Sequence, residues 1–338
     1  MSGELTPAEL AGVASAMASA GTVPSGPLTA EMIAGGRSNL TFRITDGTDR
    51  WVLRTGPRVG RTPSAHDVAR EFRVTSALAG TAVPVAPAVA LVEDEELLGG
   101  PFTICGFVSG AAIRTQSDLA AYDAPALSAM LDGLLRALAA LHRVDHVAIG
   151  LERFGRPDGY AARQLRRWSG QWELVGTAPL DALVAEVVAT LGDRLPRQRS
   201  TGIVHGDFRA DNVLLAGTDV AAVVDWELST IGDPVADVAM MCAYRAPEFD
   251  LIIGEPSSWT SDRLPDVDAL AAAYVAVGGV DLVDWEGHLA LAYFKVAMIA
   301  AGIDHRRRAG AASGPGFDTA GDAVAPYLDL ASALLGSS

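Results

Sequence analysis

Two stretches constrain this chain more than any others: IVHGDFRADN at residues 203–212 and VVDWE at residues 223–227. Asp207 lies five positions before Asn212, and Asp225 lies thirteen positions after it. Apolar runs at 213–215 and 221–224 flank a polar turn at 216–219. That pattern reads as two short strands joined by a tight loop. A hairpin of this kind brings Asn212 and Asp225 together at its open end and leaves Asp207 on the loop before it.

These residue types suit phosphoryl transfer from a metal-bound nucleotide. A transferring phosphoryl group needs its charge neutralised and its partners held in line. Magnesium prefers oxygen ligands and keeps several waters, so one Asp and one Asn amide oxygen suffice beside phosphate oxygens. Asn212 and Asp225 are the candidates for Mg2+. A further carboxylate must face the acceptor hydroxyl, and Asp207 is the candidate. The D-x-x-x-x-N spacing is that of the protein-kinase catalytic loop. Here His205-Gly206-Asp207 stands where those enzymes read His-Arg-Asp. A β-turn rich in Asp and Asn would show the same spacing. The preceding His-Gly, the hairpin and the Asp-Trp-Glu that follows carry the catalytic reading.

With these residues on the page, the chain resembles the aminoglycoside phosphotransferase and choline kinase group. The run LSTIGDPVADVA at 228–239 strengthens the likeness. The segments PSAHDVAREFRV, FGRPDGY, RQLRRWSGQWE and DWELSTIGDP bring it closest to the kinase-like domain fused to acyl-CoA dehydrogenases and its stand-alone bacterial relatives. The resemblance runs from about residue 35 to about residue 310. It implies an α+β, two-lobed protein-kinase-like fold, with a small sheet-containing N-lobe at 1–108 and a mostly helical C-lobe at 109–338. Nucleotide is expected in the cleft between the lobes. The implied reaction moves the γ-phosphoryl group of ATP, or of GTP, to a hydroxyl on a small molecule. The acceptor stays open between an antibiotic hydroxyl and a hydroxy acid or hydroxyacyl chain carried as its coenzyme A ester. A catalytically inactive, nucleotide-binding pseudokinase is the rival from another class. Retention of Asp207, Asn212 and Asp225 argues against it, while an Arg in place of the kinase Lys leaves it some room.

In the first lobe, residues 31–44, EMIAGGRSNLTFRI, place two glycines and a Ser-Asn pair between apolar segments. This is either an ordinary hairpin turn or a loop whose open backbone N–H groups cover phosphates. The resemblance favours a nucleotide-covering loop of Gly35, Gly36, Arg37, Ser38 and Asn39. Strands are expected at 41–45 and 50–55. Period-two alternation puts Trp51 and Leu53 on one face, Val52 and Arg54 on the other. In the kinase pattern this second strand carries a Lys that grips the α- and β-phosphates. Arg54, in WVLR, stands at that position. It keeps the charge and the capacity for bidentate phosphate contact, but it is bulkier. Val52 then lines the adenine pocket. Helix signals cover 63–79, with Ser64 and Asp67 resembling a capping box. By the same pattern Glu71 on that helix pairs with Arg54; an exposed strand cation and a solvated helix acid are the plain alternatives. The strand at 101–108 ends at the implied hinge, where Gly106 C=O and Val108 N–H hold adenine and Cys105 sits beside it.

In the second lobe the resemblance makes His205 a positioning residue for the catalytic loop. Arg209 is a candidate for contact with phosphate or acceptor, and Glu227 for the metal surroundings or the substrate. Asp233 and Asp237 read as helix caps. His142, closing an apolar helix at 125–144, reads as a packed histidine. At 160–174, Arg163, Arg166 and Arg167 interleave with Leu165, Trp168 and Trp172. This helix either faces an anionic substrate or packs as an amphipathic element with a solvated face.

Composition bounds the partners. With 41 acidic against 26 basic residues, the formal charge is −15, which argues against nucleic acid or an anionic membrane as partner. Apolar residues make up 49% of the 338, as in a globular enzyme. Cys105 and Cys242 are far apart and in no metal-like cluster, so a reduced, cytoplasmic setting is expected. The N-terminal residues lack a basic start and an apolar core, unlike a secretory signal. The apolar stretch 289–303, interrupted by Lys295, reads as a buried helix rather than a membrane span.

Overall fold

The computed structural model describes residues 4–35, 39–57 and 67–336. The chain forms two compact units: Met1–Gly110 with Ala221–Ser229, and Ala111–Val220 with Thr230–Ser338. Gly36, Arg37 and Ser38 of the glycine-containing loop, and Ser64 of the expected capping box, lie outside the described residues.

The first unit opens with helix α1 (Pro7–Ser19). Thr6 caps it by accepting the Glu9 N–H, while the Glu9 carboxylate takes the Thr6 N–H at 2.7 Å. A five-stranded antiparallel sheet follows, built from β1 (Thr29–Gly35), β2 (Leu40–Thr45), β3 (Arg50–Thr55), β4 (Ala88–Val92) and β5 (Phe102–Gly106) in the order β1-β2-β3-β5-β4. Alternation along the strands decides which side chains are buried. Phe42, Ile44, Trp51, Leu53, Phe102 and Ile104 form one core with Val13 and Met17 of α1. The other face carries Val52 and Arg54, with Val52 directly opposite Cys105 in the register. Helix α2 (Val68–Leu78) starts at Asp67, whose carboxylate accepts the Arg70 N–H at 2.9 Å. It buries Val68, Val74 and Leu78, and Glu71 among them.

The 221–229 segment is stitched into this unit by backbone groups. The Val223 N–H donates to the Pro84 carbonyl at 2.8 Å. The Arg70 guanidinium donates to the Ser229 carbonyl through Nε at 3.2 Å and Nη2 at 2.9 Å.

The second unit is mostly helical: α3 (Gln116–Leu119), α4 (Ala124–Arg143), α5 (Tyr160–Val175) and α6 (Asp181–Asp193) precede three short strands. These are β6 (Gly202–Val204), β7 (Val213–Ala216) and β8 (Asp219–Val223), where β7 and β8 make the expected hairpin and the last three residues of β8 begin the 221–229 segment. Then come β9 (Thr230–Gly232), α7 (Pro234–Ala243), α8 (Phe249–Ile253), α9 (Val267–Ala276), α10 (Trp285–Arg308) and α11 (Val324–Gly336). Strand β6 pairs antiparallel with β9, Ile203 facing Ile231. Helices α4 and α10 are each long and apolar enough to cross a bilayer. In α10, however, 83% of the apolar window is buried within the protein, which identifies it as the core helix of this unit.

The turn after α8 matters for the site, because α8 presents Phe249. Gly254 ends that helix in the left-handed region at φ 89°. A Cβ there would lie 2.0 Å from the Gly316 backbone nitrogen. Only glycine meets both conditions. Gly254→Ala is expected to lower stability by about 2–3 kcal/mol, measured as a lower urea midpoint at unchanged slope.

Candidate active site

The loop that follows β6 has little secondary structure to hold it, and a buried carboxylate does so instead. Asp237, in the first turn of α7, accepts the backbone N–H of His205 at 2.6 Å and of Gly206 at 2.8 Å. It also pairs with His142 Nε2 at 3.2 Å, both side chains being fully buried. A carboxylate only accepts, so Nε2 is the donor and His142 Nδ1 accepts from the Tyr274 hydroxyl at 2.7 Å. Burial pushes the Asp237 carboxyl up, but the hydrogen bonds from His142 and the loop N–H groups outweigh it, and the pKa lies below the usual carboxylate value. Asp237 is thus not a helix cap; Asp233 has that role, accepting the Val235 N–H at 3.1 Å.

On the anchored loop, His205 is fully buried, and its Nδ1 lies 3.3 Å from the Asp207 N–H. Asn212 Nδ2 donates to the Asp207 backbone oxygen at 2.7 Å and to its carboxylate at 2.9 Å. That commits the amide nitrogen and leaves the Asn212 oxygen as the side chain's free acceptor. Arg209 reaches Asp207 at 3.2 Å and Asp211 at 3.2 Å. Its guanidinium lies over Tyr244 and Phe249, 5.2 Å and 5.1 Å from the ring centres. Arg209 therefore clamps the loop from within, an involvement the sequence left undefined.

In the first unit, Arg54 Nη1 and Glu71 form an ion pair at 2.8 Å, and Nη2 reaches Asp225 at 3.1 Å. Asn39, 4% exposed, donates to Glu71 at 3.4 Å. Burial opposes the Arg54 charge, but Glu71, Asp225 and Glu227 together raise its pKa. Burial pushes Glu71 up to about 7, with Arg54 drawing it down and Asp225 and Glu227 adding to the rise. Asp225 sits in the left-handed region at φ 64°, a strained conformation for a residue with a side chain. The following turn holds it: Trp226 Nε1 donates to the Val223 carbonyl at 3.0 Å and Ser229 Oγ to the Trp226 carbonyl at 2.6 Å.

On the sheet face of the same unit, burial pushes the Cys105 thiol up to about 11, so it is a neutral apolar group beside Val52. The Gly106 N–H is taken by the Pro87 carbonyl at 2.8 Å. Val108 lies half-buried just beyond the strand end. The first unit thus brings together Arg54, Glu71, Asn39, Asp225 and Glu227, and the second Asp207, Asn212 and Arg209. Among the described residues, no group of three or more His, Cys, Asp and Glu side chains is arranged to hold an ion. Magnesium does not require one. An Asn amide oxygen and an Asp carboxylate are the hard donors it takes alongside phosphate and water.

The sheet with its cation–carboxylate pair and the helical remainder define a two-lobed, protein-kinase-like α+β fold. Residues 29–287 match the phosphotransferase enzyme family, and the chain belongs to it. It is 34% identical over 317 residues to mouse acyl-CoA dehydrogenase family member 10, covering 92% of this chain and 30% of that protein. The chain thus spans less than a third of that relative. A Ralstonia eutropha JMP134 structure, provisionally assigned as an aminoglycoside phosphotransferase, is 34% identical with a TM-score of 0.80, covering 93% of this chain and 94% of its own. A thermostable mutant of aminoglycoside phosphotransferase APH(4)-Ia, in ternary complex with AMP-PNP and hygromycin B, shares the fold at 17% identity and a TM-score of 0.62, covering 92% and 95%.

Two outcomes follow. Asp237→Ala strips partners from two buried N–H groups and a histidine, and is expected to cost about 3–5 kcal/mol, with Asp237→Asn milder, in urea unfolding. For Glu71, the folded pKa of about 7 lies above its ordinary 4.5. The folded state therefore binds that proton more tightly, and this contribution is full below pH 4.5 and lost as pH rises through 7. The stability difference between wild type and Glu71→Gln should accordingly shift against the wild type across that window; a pH-independent difference would refute the assignment.

Proposed function

We propose that this chain is a small-molecule kinase, transferring the γ-phosphoryl group of ATP, or of GTP, to a substrate hydroxyl. The observation that carries the proposal is the hydrogen bond that locks Asn212 to Asp207 on a loop anchored by Asp237. Asp207 orients the acceptor hydroxyl and takes its proton late in the transfer. Asn212 and Asp225 are the residues for Mg2+, which when bound supplies charge neutralisation at the transferring phosphoryl group. Arg54, braced by Glu71, restrains the phosphates under the loop of Gly36, Arg37, Ser38 and Asn39. Val52, Cys105, Gly106 and Val108 serve the adenine. The engagement of Arg209 with Asp207 and Asp211 favours a loop-holding part over direct acceptor contact.

A second reading of the acceptor has its own support. The relative at 34% identity is named for acyl-CoA dehydrogenation, and α5 displays Arg163, Arg166 and Arg167. A hydroxy acid or hydroxyacyl coenzyme A ester fits those cations better than a polycationic antibiotic does. We place the reaction in a reduced, cytoplasmic setting, in keeping with the two free cysteines.

A mass-spectrometric screen for ATP-dependent phosphate addition, across sugars, aminoglycosides, macrolides and hydroxyacyl esters, tests the proposal. Asp207→Asn should lower kcat by about 10²- to 10⁴-fold with nucleotide affinity kept. Magnesium-dependent ATP binding with no transfer to any acceptor or to water would instead favour a pseudokinase.

A further inference from the structure

Helix α7 meets the loop after β6 with two side chains. Asp237 lies in its first turn, and Tyr244 follows its last residue, seven positions further on. At 3.6 residues per turn, seven positions are close to two full turns, so both side chains project from one face of the helix. Asp237 holds the backbone of His205 and Gly206. Lys295 of α10 reaches the same backbone, its ammonium lying 3.5 Å from the Gly206 carbonyl. Tyr244 serves the next stretch, Asp207 to Arg209.

The two oxygens of the Asp207 carboxylate are treated unequally. Asn212 Nδ2 at 2.9 Å and Arg209 Nη2 at 3.2 Å both donate to Oδ2, and Oδ1 takes neither bond. The Arg209 guanidinium is itself held by a second acid and two rings. Its Nε reaches Asp211 Oδ1 at 3.2 Å. The Tyr244 and Phe249 ring centres lie 5.2 Å and 5.1 Å from it, within cation–π range, and the rings pack on each other at 4.7 Å. A phenylalanine at 244 would stack on Arg209 as Phe249 does, so the stacking does not account for the hydroxyl. Tyr244 is 4% exposed, and a buried phenol needs a partner for its O–H. Burial raises the Tyr244 pKa well above its ordinary value, and the Asp207 charge and a hydrogen bond to Asp207 act in the same direction. The hydroxyl therefore keeps its proton and acts as a donor.

We propose that Tyr244 is a positioning residue for Asp207: its ring steadies Arg209, its hydroxyl fixes the tilt of the carboxylate, and Oδ1 is the oxygen presented to the acceptor hydroxyl. The inference rests on the kinase reading above and adds to it the atom that receives the acceptor's proton. A carboxylate rotates about its last bond with little preference, because that torsion is broad. Donors gathered on Oδ2 alone restrain it incompletely. A further donor from α7, a different element from the loop, removes the remaining freedom before any acceptor arrives. Orientation of this kind acts on the transfer step and not on the hold on nucleotide, which belongs to other residues.

Two readouts test this, one of them independent of turnover. With the six tyrosines labelled with 13C at Cζ, the Tyr244 resonance is the one lost in Tyr244→Phe. Asp207→Asn should move that resonance more than any other tyrosine signal, because it alters the group to which the hydroxyl donates. The second readout is phosphate release from ATP and Mg2+ with water as the acceptor. Tyr244→Phe keeps the ring on Arg209 and removes only the hydroxyl. It should lower kcat by about tenfold and leave the KM for ATP within about twofold. A Tyr244 resonance indifferent to Asp207→Asn would overturn the inference. So would wild-type kcat in Tyr244→Phe, or a loss that appears only as a raised KM for ATP. If the wild type releases no phosphate and transfers none, the kinase reading falls, and the carbon resonance alone then decides whether Tyr244 braces Asp207.

Discussion

One buried carboxylate holds the second unit's chemistry together. The Asp237 side chain ties the loop N–H groups of His205 and Gly206 to His142 of α4, and through that ring to Tyr274 of α9. Its anchor therefore reaches three helices and the loop at once. Charge assistance makes these hydrogen bonds stronger than neutral ones, and full burial makes each of them expensive to break. Only with the backbone fixed at residues 205 and 206 does the next residue, Asp207, meet Asn212 at a defined distance. The local hydrogen bonds of the loop then act on a backbone that is already placed.

The first unit solves a different problem. It must keep a guanidinium charged while largely inside the protein. A lone acid would form a closed pair whose desolvation cost rivals its attraction. Arg54 is instead shared between Glu71, which is buried, and Asp225, whose side chain is 37% exposed. Burial is the main reason Glu71 is hard to ionise, and the neighbouring acids Asp225 and Glu227 add to it. The left-handed backbone at Asp225 fits this picture. Strain of this kind persists where surrounding bonds over-determine it, as the Val223, Trp226 and Ser229 contacts do.

Much of this was legible in the sequence, for physical reasons that differ by element. In the first unit the strand at 50–55 showed in period-two alternation and those at 41–45 and 101–108 as apolar runs, and the long helices in their apolar stripes, because burial of one face leaves a local trace. The ion pair of Arg54 with Glu71 was legible only through the likeness to kinases; strand and helix periodicity gave each residue a face but not a partner. Asp237 looked like a helix cap, since an acid in a first turn usually is one. Its true partners lie more than thirty positions upstream, on a loop whose path no local pattern reveals. Strands β6 and β9 were missed for a similar reason: three residues are too few to show a period, and their pairing is decided by tertiary contact.

Lys295 shows where local patterning stops being informative. In the sequence it interrupts an apolar run and argues only against a membrane span. In the folded unit it points a cation at the residue next to Asp207, and nothing in the flanking residues of α10 signals that. The loop chemistry is set by spacing within 203–212 and by backbone anchors, features that any acceptor would use alike. The side chains around the small cavity that Lys295 lines come from α5, α7 and α10, the helices packed beside that loop. Chains with the same catalytic loop can therefore differ in acceptor, and a match to the loop motif identifies the reaction more securely than the molecule it acts on.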